Sequence, residues 1–230
     1  MLHLKTNSKI LSKNPLAKLV SKRGELEHSL LQQGKSIIGI DEVGRGCIAG
    51  PVVVCCVSLN YDEVLKLDDK TRGLIRDSKK LSAKQRAEIK PLLEDTLITE
   101  SHIGVCSARE IETLGIAPAT FAAMLKALSK CRHPYDMLLV DGNQKVTGYT
   151  GEQTVIVGGD QSCYAIAAAS ILAKETRDRF MKEDAAAEFP HYGFENHVGY
   201  GTKAHIDSIK EFGICTLHRK NFAPIRHMIP

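Results

Sequence analysis

Four acidic residues stand where apolar, strand-like runs stop. Asp41 and Glu42 close Ile37-Ile38-Gly39-Ile40, Asp141 closes the run 137–140, and Asp160 follows 154–157 and Gly158-Gly159. Short apolar runs bounded by glycine or proline read as buried strands. In an open sheet such ends converge on one edge, where ligands bind. Four carboxylates gathered there repel one another by roughly several kcal/mol at low effective dielectric, and they stay ionised together only with cations among them. Oxygen donors without histidine select magnesium or manganese over zinc. Two such ions about 4 Å apart activate a water and stabilise the leaving oxygen of a phosphodiester. These residues therefore point to metal-assisted hydrolysis of nucleic acid. Two plain structural roles compete: Asp160 as a helix N-cap, and Asp141 as a turn residue before Gly142-Asn143.

The turn after the first acids carries Gly44-Arg45-Gly46 and then Gly50-Pro51. Its spacing is not G-x-G-x-x-G and a strand follows it, which excludes a dinucleotide loop. What remains is a turn with free backbone N–H groups and a guanidinium, suited to a sugar hydroxyl and a phosphate, or else a structural turn with a solvated arginine. Adjacent residues of a regular strand face opposite ways. Asp41 and Glu42 are thus expected to share one site only if the strand ends or bulges there, as Gly44 and Gly46 permit. Lys79 and Lys80, in Asp77-Ser78-Lys79-Lys80-Leu81-Ser82, precede a helix whose N-terminus is already positive, an arrangement that favours a phosphate. A solvated lysine pair is the alternative.

The elements that must position these groups can be read in outline. Strands are expected at 36–41 and 51–59, forming an antiparallel hairpin. Residues 61–76 read as a loop with at most a short helix. Ser82-Ala83-Lys84-Gln85 is a capping box opening a helix over 83–90 that Pro91 kinks or ends. A third strand follows at 97–108, then helices at 109–114 and 117–130, the latter with Phe121, Met124, Leu125 and Leu128 on one face. After the strands at 137–140 and 154–157 comes the longest helical stretch, 162–182. Its first half, through Ile171, is small and apolar nearly all round, hence buried against a sheet. Its second half, with Arg177, Arg179 and Lys182, is expected to be a solvated face. Thr202 caps a last helix ending at Gly213.

At 230 residues and net charge +4 the chain fits one domain, and its mildly basic character permits a nucleic-acid partner without requiring one. Residues 1–23 hold six Lys/Arg and no acid, a basic arm ahead of the core. Seven cysteines with no C-x-x-C pair suit reduced thiols and a reducing, cytoplasmic setting. No apolar run reaches the ~18–20 residues of a membrane span.

Taken together, several motifs carry a resemblance. Gly39-Ile40-Asp41-Glu42-Val43-Gly44-Arg45-Gly46 and Gly50-Pro51-Val52-Val53 resemble the opening signature of ribonuclease HII, the type 2 ribonuclease H family. Asp77-Ser78-Lys79-Lys80-Leu81, Asp141-Gly142-Asn143, Gly159-Asp160 and Ala168-Ala169-Ser170-Ile171-Leu172-Ala173-Lys174 match later motifs in order. Tyr192-Gly193-Phe194, Gly199-Tyr200-Gly201-Thr202 and His218-Arg219-Lys220 complete them. The match runs from about 36 to 226.

The resemblance implies an α/β, RNase H-like fold: a five-stranded mixed sheet flanked by helices, with a small C-terminal helical portion. It divides the chain into a basic arm (1–35), a catalytic core (36–190) and a C-terminal helical portion with a basic tail (191–230). It implies that Asp41, Glu42, Asp141 and Asp160 bind Mn2+ or Mg2+ and are catalytic. Gly44, Arg45, Gly46 and Tyr200 would read the 2′-hydroxyl and sugar at an RNA–DNA junction. Lys79, Lys80, Arg219 and Arg226 are candidate phosphate contacts. The implied activity is hydrolysis of the RNA strand of RNA–DNA hybrids and cutting at single ribonucleotides embedded in DNA, leaving a 3′-hydroxyl and a 5′-phosphate. The expected enzyme is a monomer with nucleic acid, and no membrane, as partner. Only the 2′-hydroxyl distinguishes RNA from DNA locally, so a tight backbone clamp backed by an aromatic suits the task. The Gly-Arg-Gly turn favours this family over ribonuclease HIII, whose turn carries lysine. Gly201 stands where the family often has proline, and Lys220-Asn221 where arginine and serine are usual. One alternative, from another class, is a nucleic-acid-binding module on the same fold that has lost catalysis, which four intact acids oppose; a second is a different RNase H-like nuclease such as a resolvase, which the Gly-Arg-Gly turn and Tyr200 oppose.

Overall fold

The computed structural model describes residues 23–228; residues 1–22 of the expected basic arm lie outside that range. The elements in chain order are α1 (Glu25–Gln32), β1 (Ile37–Val43), β2 (Val52–Leu59), α2 (Tyr61–Lys66), α3 (Asp69–Arg72), α4 (Ala83–Leu92), β3 (Ile98–Cys106), α5 (Ala108–Leu114) and α6 (Ile116–Leu128). They continue with β4 (Met137–Asp141), β5 (Gln153–Ile156), α7 (Gly159–Ser162), α8 (Tyr164–Phe180), α9 (Ala186–Glu188), α10 (Phe194–His197) and α11 (Lys203–Phe212). The sheet order is β3-β2-β1-β4-β5. β1 pairs antiparallel with β2 and parallel with β4, and β4 pairs parallel with β5. This is the mixed five-stranded sheet that the motifs implied.

The central strands are apolar without a break because both faces are covered. Ile38, Ile40, Val52, Val54 and Cys56 pack with Ala119, Ala123, Met124 and Ala127 of α6. The alternate residues Val43, Val53, Cys55 and Val57 pack with Ala165, Ala168, Ile171 and Leu172 of α8. The small side chains of α8 let its backbone lie against β1: a Cβ at Gly39 would fall 2.5 Å from the Ile166 nitrogen. A further cluster joins Ile48 and Ala49 to Met181, Tyr192, Phe194, Val198, Ile209 and Ile225. The C-terminal segment is thereby packed onto the turn that follows β1.

Three local expectations are corrected. Residues 61–76 carry two short helices, α2 and α3, capped by the Asn60 and Asp68 side chains. The helical stretch expected at 162–182 is divided at Cys163, whose backbone is extended. The break is explained by Glu27 of α1, a fully buried carboxylate that accepts N–H bonds from Tyr164 (2.8 Å) and Ala165 (2.9 Å) and a hydroxyl from Tyr61 (2.7 Å). It satisfies the free amides at the start of α8 from a remote part of the chain. Arg177 is not on a solvated face: it is fully buried, for the reason given below. Arg179 and Lys182 are exposed as expected.

Candidate active site

β1 and β4 run parallel, with Ile40 beside Val140, so Asp41 and Asp141 follow side by side at their C-terminal ends. β1 keeps its ladder with β2 through Asp41↔Cys55, Glu42↔Val54 and Val43↔Val53. The strand therefore neither ends nor bulges at the acid pair, contrary to the expectation above. Asp41 points to the α8 face, near Ser170. Glu42 points to the α6 face and lines a small cleft with Arg45, Phe121, Met124, Asp141 and Asn143. The two acids straddle the rim of the sheet with Asp141 between them. Asp41 Oδ1 bends forward to accept the Glu42 N–H (2.7 Å).

Asp160 arrives from α7. The link is the Gly159 N–H, which donates to Asp141 Oδ1 at 2.7 Å and holds the next residue beside that carboxylate. Burial, then Glu42 and Asp141, push the Asp41 carboxyl well above the usual range. Burial also raises Glu42, against the Arg45 guanidinium 3.0 Å from its Oε1. Asp160 is pushed up to about 6 by burial, then by Asp141 and Asp77. Mutual elevation is the signature of carboxylates crowded without enough positive charge. Asp77, quoted above only as part of a motif, is thus a fifth carboxylate at the site. It caps its own turn by accepting the Lys79 N–H at 2.9 Å.

Lys79 is exposed, and its charge lowers Glu42, Asp160 and Tyr200 alike, which locates it over the site. Lys80 instead donates to Gln161 Oε1 at 2.8 Å. The two lysines lie in a turn just before α4, whose N-terminus is closed by the expected Ser82/Gln85 capping box. Ser78 Oγ, 2.9 Å from Ser170 Oγ, ties that turn to α8.

Two buried arginines hold the glycine turn. Arg177 donates to the carbonyls of Pro51 (2.9 Å), Val198 (2.9 Å) and Ala49 (3.0 Å). Arg219 donates twice to the Gly50 carbonyl (2.9 and 2.8 Å) and once to that of Arg45 (3.1 Å). Each is 0% exposed. Arg219 was expected at a phosphate; its guanidinium is committed to backbone oxygens inside the protein instead. Arg226 remains exposed. Gly44 has φ +93°, and any Cβ there would run into Arg177 Nε. That position needs glycine for both conformation and space.

Tyr200 is 42% exposed and within reach of the charge of Lys79. Burial, then Cys47, raises its hydroxyl. Its main chain is fastened by three stacked or tilted histidines, His197, His205 and His218. The Cys215 N–H donates to His218 Nδ1 (2.9 Å), so the His218 proton resides on Nε2, facing His205 Nε2 at 3.0 Å; His205 Nδ1 then donates to the Tyr200 carbonyl (2.8 Å). This proton order requires both rings neutral. Burial lowers His205 and His218 to about 4.

Sequence reasoning missed Arg177, Asp77 and this histidine chain. The nearest signals were the basic residues in the second half of α8 and the unexplained histidines of the C-terminal segment.

The donor set fits hard divalent cations. Three of the acids, Asp41, Asp141 and Asp160, form no ion pair among the described residues. All four are oxygen donors of the hard kind that Mg2+ or Mn2+ prefers, and the charge of Asp141 reaches Asp41, Glu42 and Asp160.

The chain is similar to known proteins in fold and in sequence. Solved structures that share the fold include the ribonuclease H2 of Pyrococcus horikoshii OT3 (TM-score 0.69, 21% identity, covering 84% of this chain and 96% of that one). Another is Bst-RNase HIII in complex with Mn2+ (TM-score 0.63, 17% identity, 84% and 69%). These likenesses show the fold that the chain shares with ribonuclease H2 and ribonuclease HIII. A family model described as Ribonuclease HII matches residues 38–225. The Ribonuclease HII of Synechococcus sp. (strain CC9902) is 46% identical over 192 residues, 84% of this chain and 94% of that one. The chain belongs to the ribonuclease HII family.

Proposed function

We propose that the protein is an endoribonuclease that hydrolyses the RNA strand of RNA–DNA hybrids and cuts at single ribonucleotides embedded in duplex DNA. The observation that carries this reading is one rim of the sheet. There four acids adjoin a glycine turn held rigid by two buried arginines and faced by Tyr200. Asp41, Glu42, Asp141 and Asp160 would hold two Mn2+ or Mg2+ ions. Bound there, such ions supply an activated water and stabilise the leaving oxygen, which accounts for 3′-hydroxyl and 5′-phosphate products.

The chain's own residues do the rest. The Gly44-Arg45-Gly46 backbone offers N–H groups to a sugar hydroxyl, and its immobility lets it discriminate a ribose from a deoxyribose. Gly46 has open space at its Cα, so a sugar can approach the main chain. Tyr200 provides the opposing surface. Lys79, beside the acids, takes the phosphate, and Lys80 extends the basic path along the strand. Among the described residues no helix is long and apolar enough to cross a membrane.

The test is cleavage of duplex DNA holding one ribonucleotide, in Mg2+, in Mn2+ and in chelator. Metal-dependent cutting at the ribonucleotide is expected. Equal cutting of an all-DNA duplex would refute the sugar-reading role, and undiminished cutting in chelator would refute the metal-binding role of the acids.

A further inference from the structure

A second cluster of metal-ligating side chains lies away from the acids, toward the other end of the sheet. Glu100 and His102 are two residues apart on the edge strand β3 and so share a face. They pair across the ladder with Ser58 and Cys56, whereas the end of β3 nearest the glycine turn pairs Cys106 with Val52. Cys131, just beyond α6, closes over them. A carboxylate oxygen of Glu100, a ring nitrogen of His102 and Cys131 Sγ all lie within 4.8 Å of one another. Cys56 adds a second sulfur, 3.9 Å from Cys131 Sγ.

We propose that Glu100, His102 and Cys131, with Cys56 as the adjoining fourth donor, form a structural binding site for a zinc-class divalent ion. The donor chemistry is the first argument. A thiolate, an imidazole and a carboxylate suit zinc, in contrast to the all-oxygen rim that suits magnesium or manganese. Spacing is the second. Zn–S bonds of about 2.3 Å in a tetrahedron separate two sulfurs by about 3.8 Å, close to the 3.9 Å between Cys56 and Cys131.

Orientation of the donors is the third. Glu100 is already held by the Arg132 N–H (2.8 Å) and the Tyr135 hydroxyl (2.7 Å), with His102 Nε2 2.9 Å away. Such supporting hydrogen bonds fix ligands in place in metal sites. An ion here would displace the proton between Glu100 and His102. It would clip the edge strand to the α6–β4 connection, leaving the catalytic rim untouched.

Cobalt(II) is the probe, because its thiolate charge-transfer and tetrahedral bands report ligand type directly. The reduced full-length protein carrying Asp41→Asn and Asp160→Asn is expected to bind one equivalent with a thiolate band that Zn2+ abolishes. Cys131→Ser should remove the band, and Tyr135→Phe should weaken affinity by roughly tenfold. Cys215→Ser, which removes the thiol next to His218, should leave the band intact. Wild-type protein should show Zn2+ protecting Cys131 from alkylation in mapped peptides, a readout independent of any variant's folding. Absence of a thiolate band in the reduced protein, or its survival in Cys131→Ser, would overturn the site. So would alkylation of Cys131 at an unchanged rate in Zn2+. A Cys56–Cys131 disulfide that leaves no cobalt binding after reduction would count against it equally.

Discussion

Replacing Asp160 by asparagine separates the catalytic demand on the site from its structural cost. The Asp160 carboxyl is lifted from 3.8 to about 6 by burial, then by Asp141 and Asp77. Between those values the folded protein binds a proton that the unfolded chain does not, so stability falls as pH rises through the window. Above pH 6 the ionised group opposes folding by up to about 3 kcal/mol. The residue keeps some contact with water, and solvent screening reduces the figure to about 2 kcal/mol. Asp160→Asn carries no charge and is expected to stabilise the metal-free protein by about that amount at pH 8. For a chain of this size that is about 4–8 °C in Tm. The gain should vanish below pH 4, where both states of the wild type are protonated. Mn2+ should reverse the order, because it stabilises the folded state in proportion to its affinity and the variant has lost a ligand. Turnover should be nearly abolished while duplex binding survives. Thermal unfolding in chelator and in Mn2+, from pH 4 to 8, measures all of this. If Asp160→Asn is no more stable than wild type in chelator at pH 8, or shows the same Mn2+-induced shift, the reasoning fails.

Other consequences follow from the supports of the site. Arg177→Met strands three buried carbonyls, and urea unfolding should show a loss of about 3–5 kcal/mol; a loss under about 1 kcal/mol would mean water replaces the guanidinium. His205 and His218 are held near 4, below the ~6.5 of an unfolded histidine, so the folded state binds fewer protons between these values. Stability from the pair should be complete above pH 6.5 and lost as pH falls toward 4, and His218→Asn should flatten that part of the profile. Tyr200→Ala should lower cleavage of a single embedded ribonucleotide, and unchanged kinetics would remove the ring from the site. Cleavage-competent binding should weaken with salt in proportion to the phosphates neutralised; Lys79→Ala should reduce that slope by about one contact, and an unchanged slope would exclude Lys79 from the phosphate path.

Much of this protein is local and therefore legible in its residues. The hairpin of β1 and β2, the capping box at Ser82, the buried small-residue half of α8 and the position of Asp141 at the end of β4 all rest on short-range pattern. The periods of apolar residues and the punctuation by glycine and proline carry that pattern. The rim arrangement was less so. Asp41 and Glu42 were expected to need a broken strand, because two adjacent residues face opposite ways. In the fold the strand stays regular, and the pair instead straddles the end of the sheet, where opposite faces meet around Asp141. No one-dimensional pattern encodes where a sheet stops relative to its neighbours.

Arg177, Arg219 and Glu27 were decided by tertiary structure alone. Their partners are backbone carbonyls and amides, which every residue carries, so no residue type marks the contact in advance. A basic side chain in a charged run reads as solvated until the loop it fastens is folded over it. The grouping of Glu100 and His102 with Cys131 has the same origin: β3 and the α6–β4 connection meet only when the helix lies across the sheet. Sequence by itself thus determined which chemistry this protein carries and along which strands. Tertiary packing decided which charged groups face water and which are spent, inside the protein, on holding the site in shape, because burial depends on chain segments far apart in sequence.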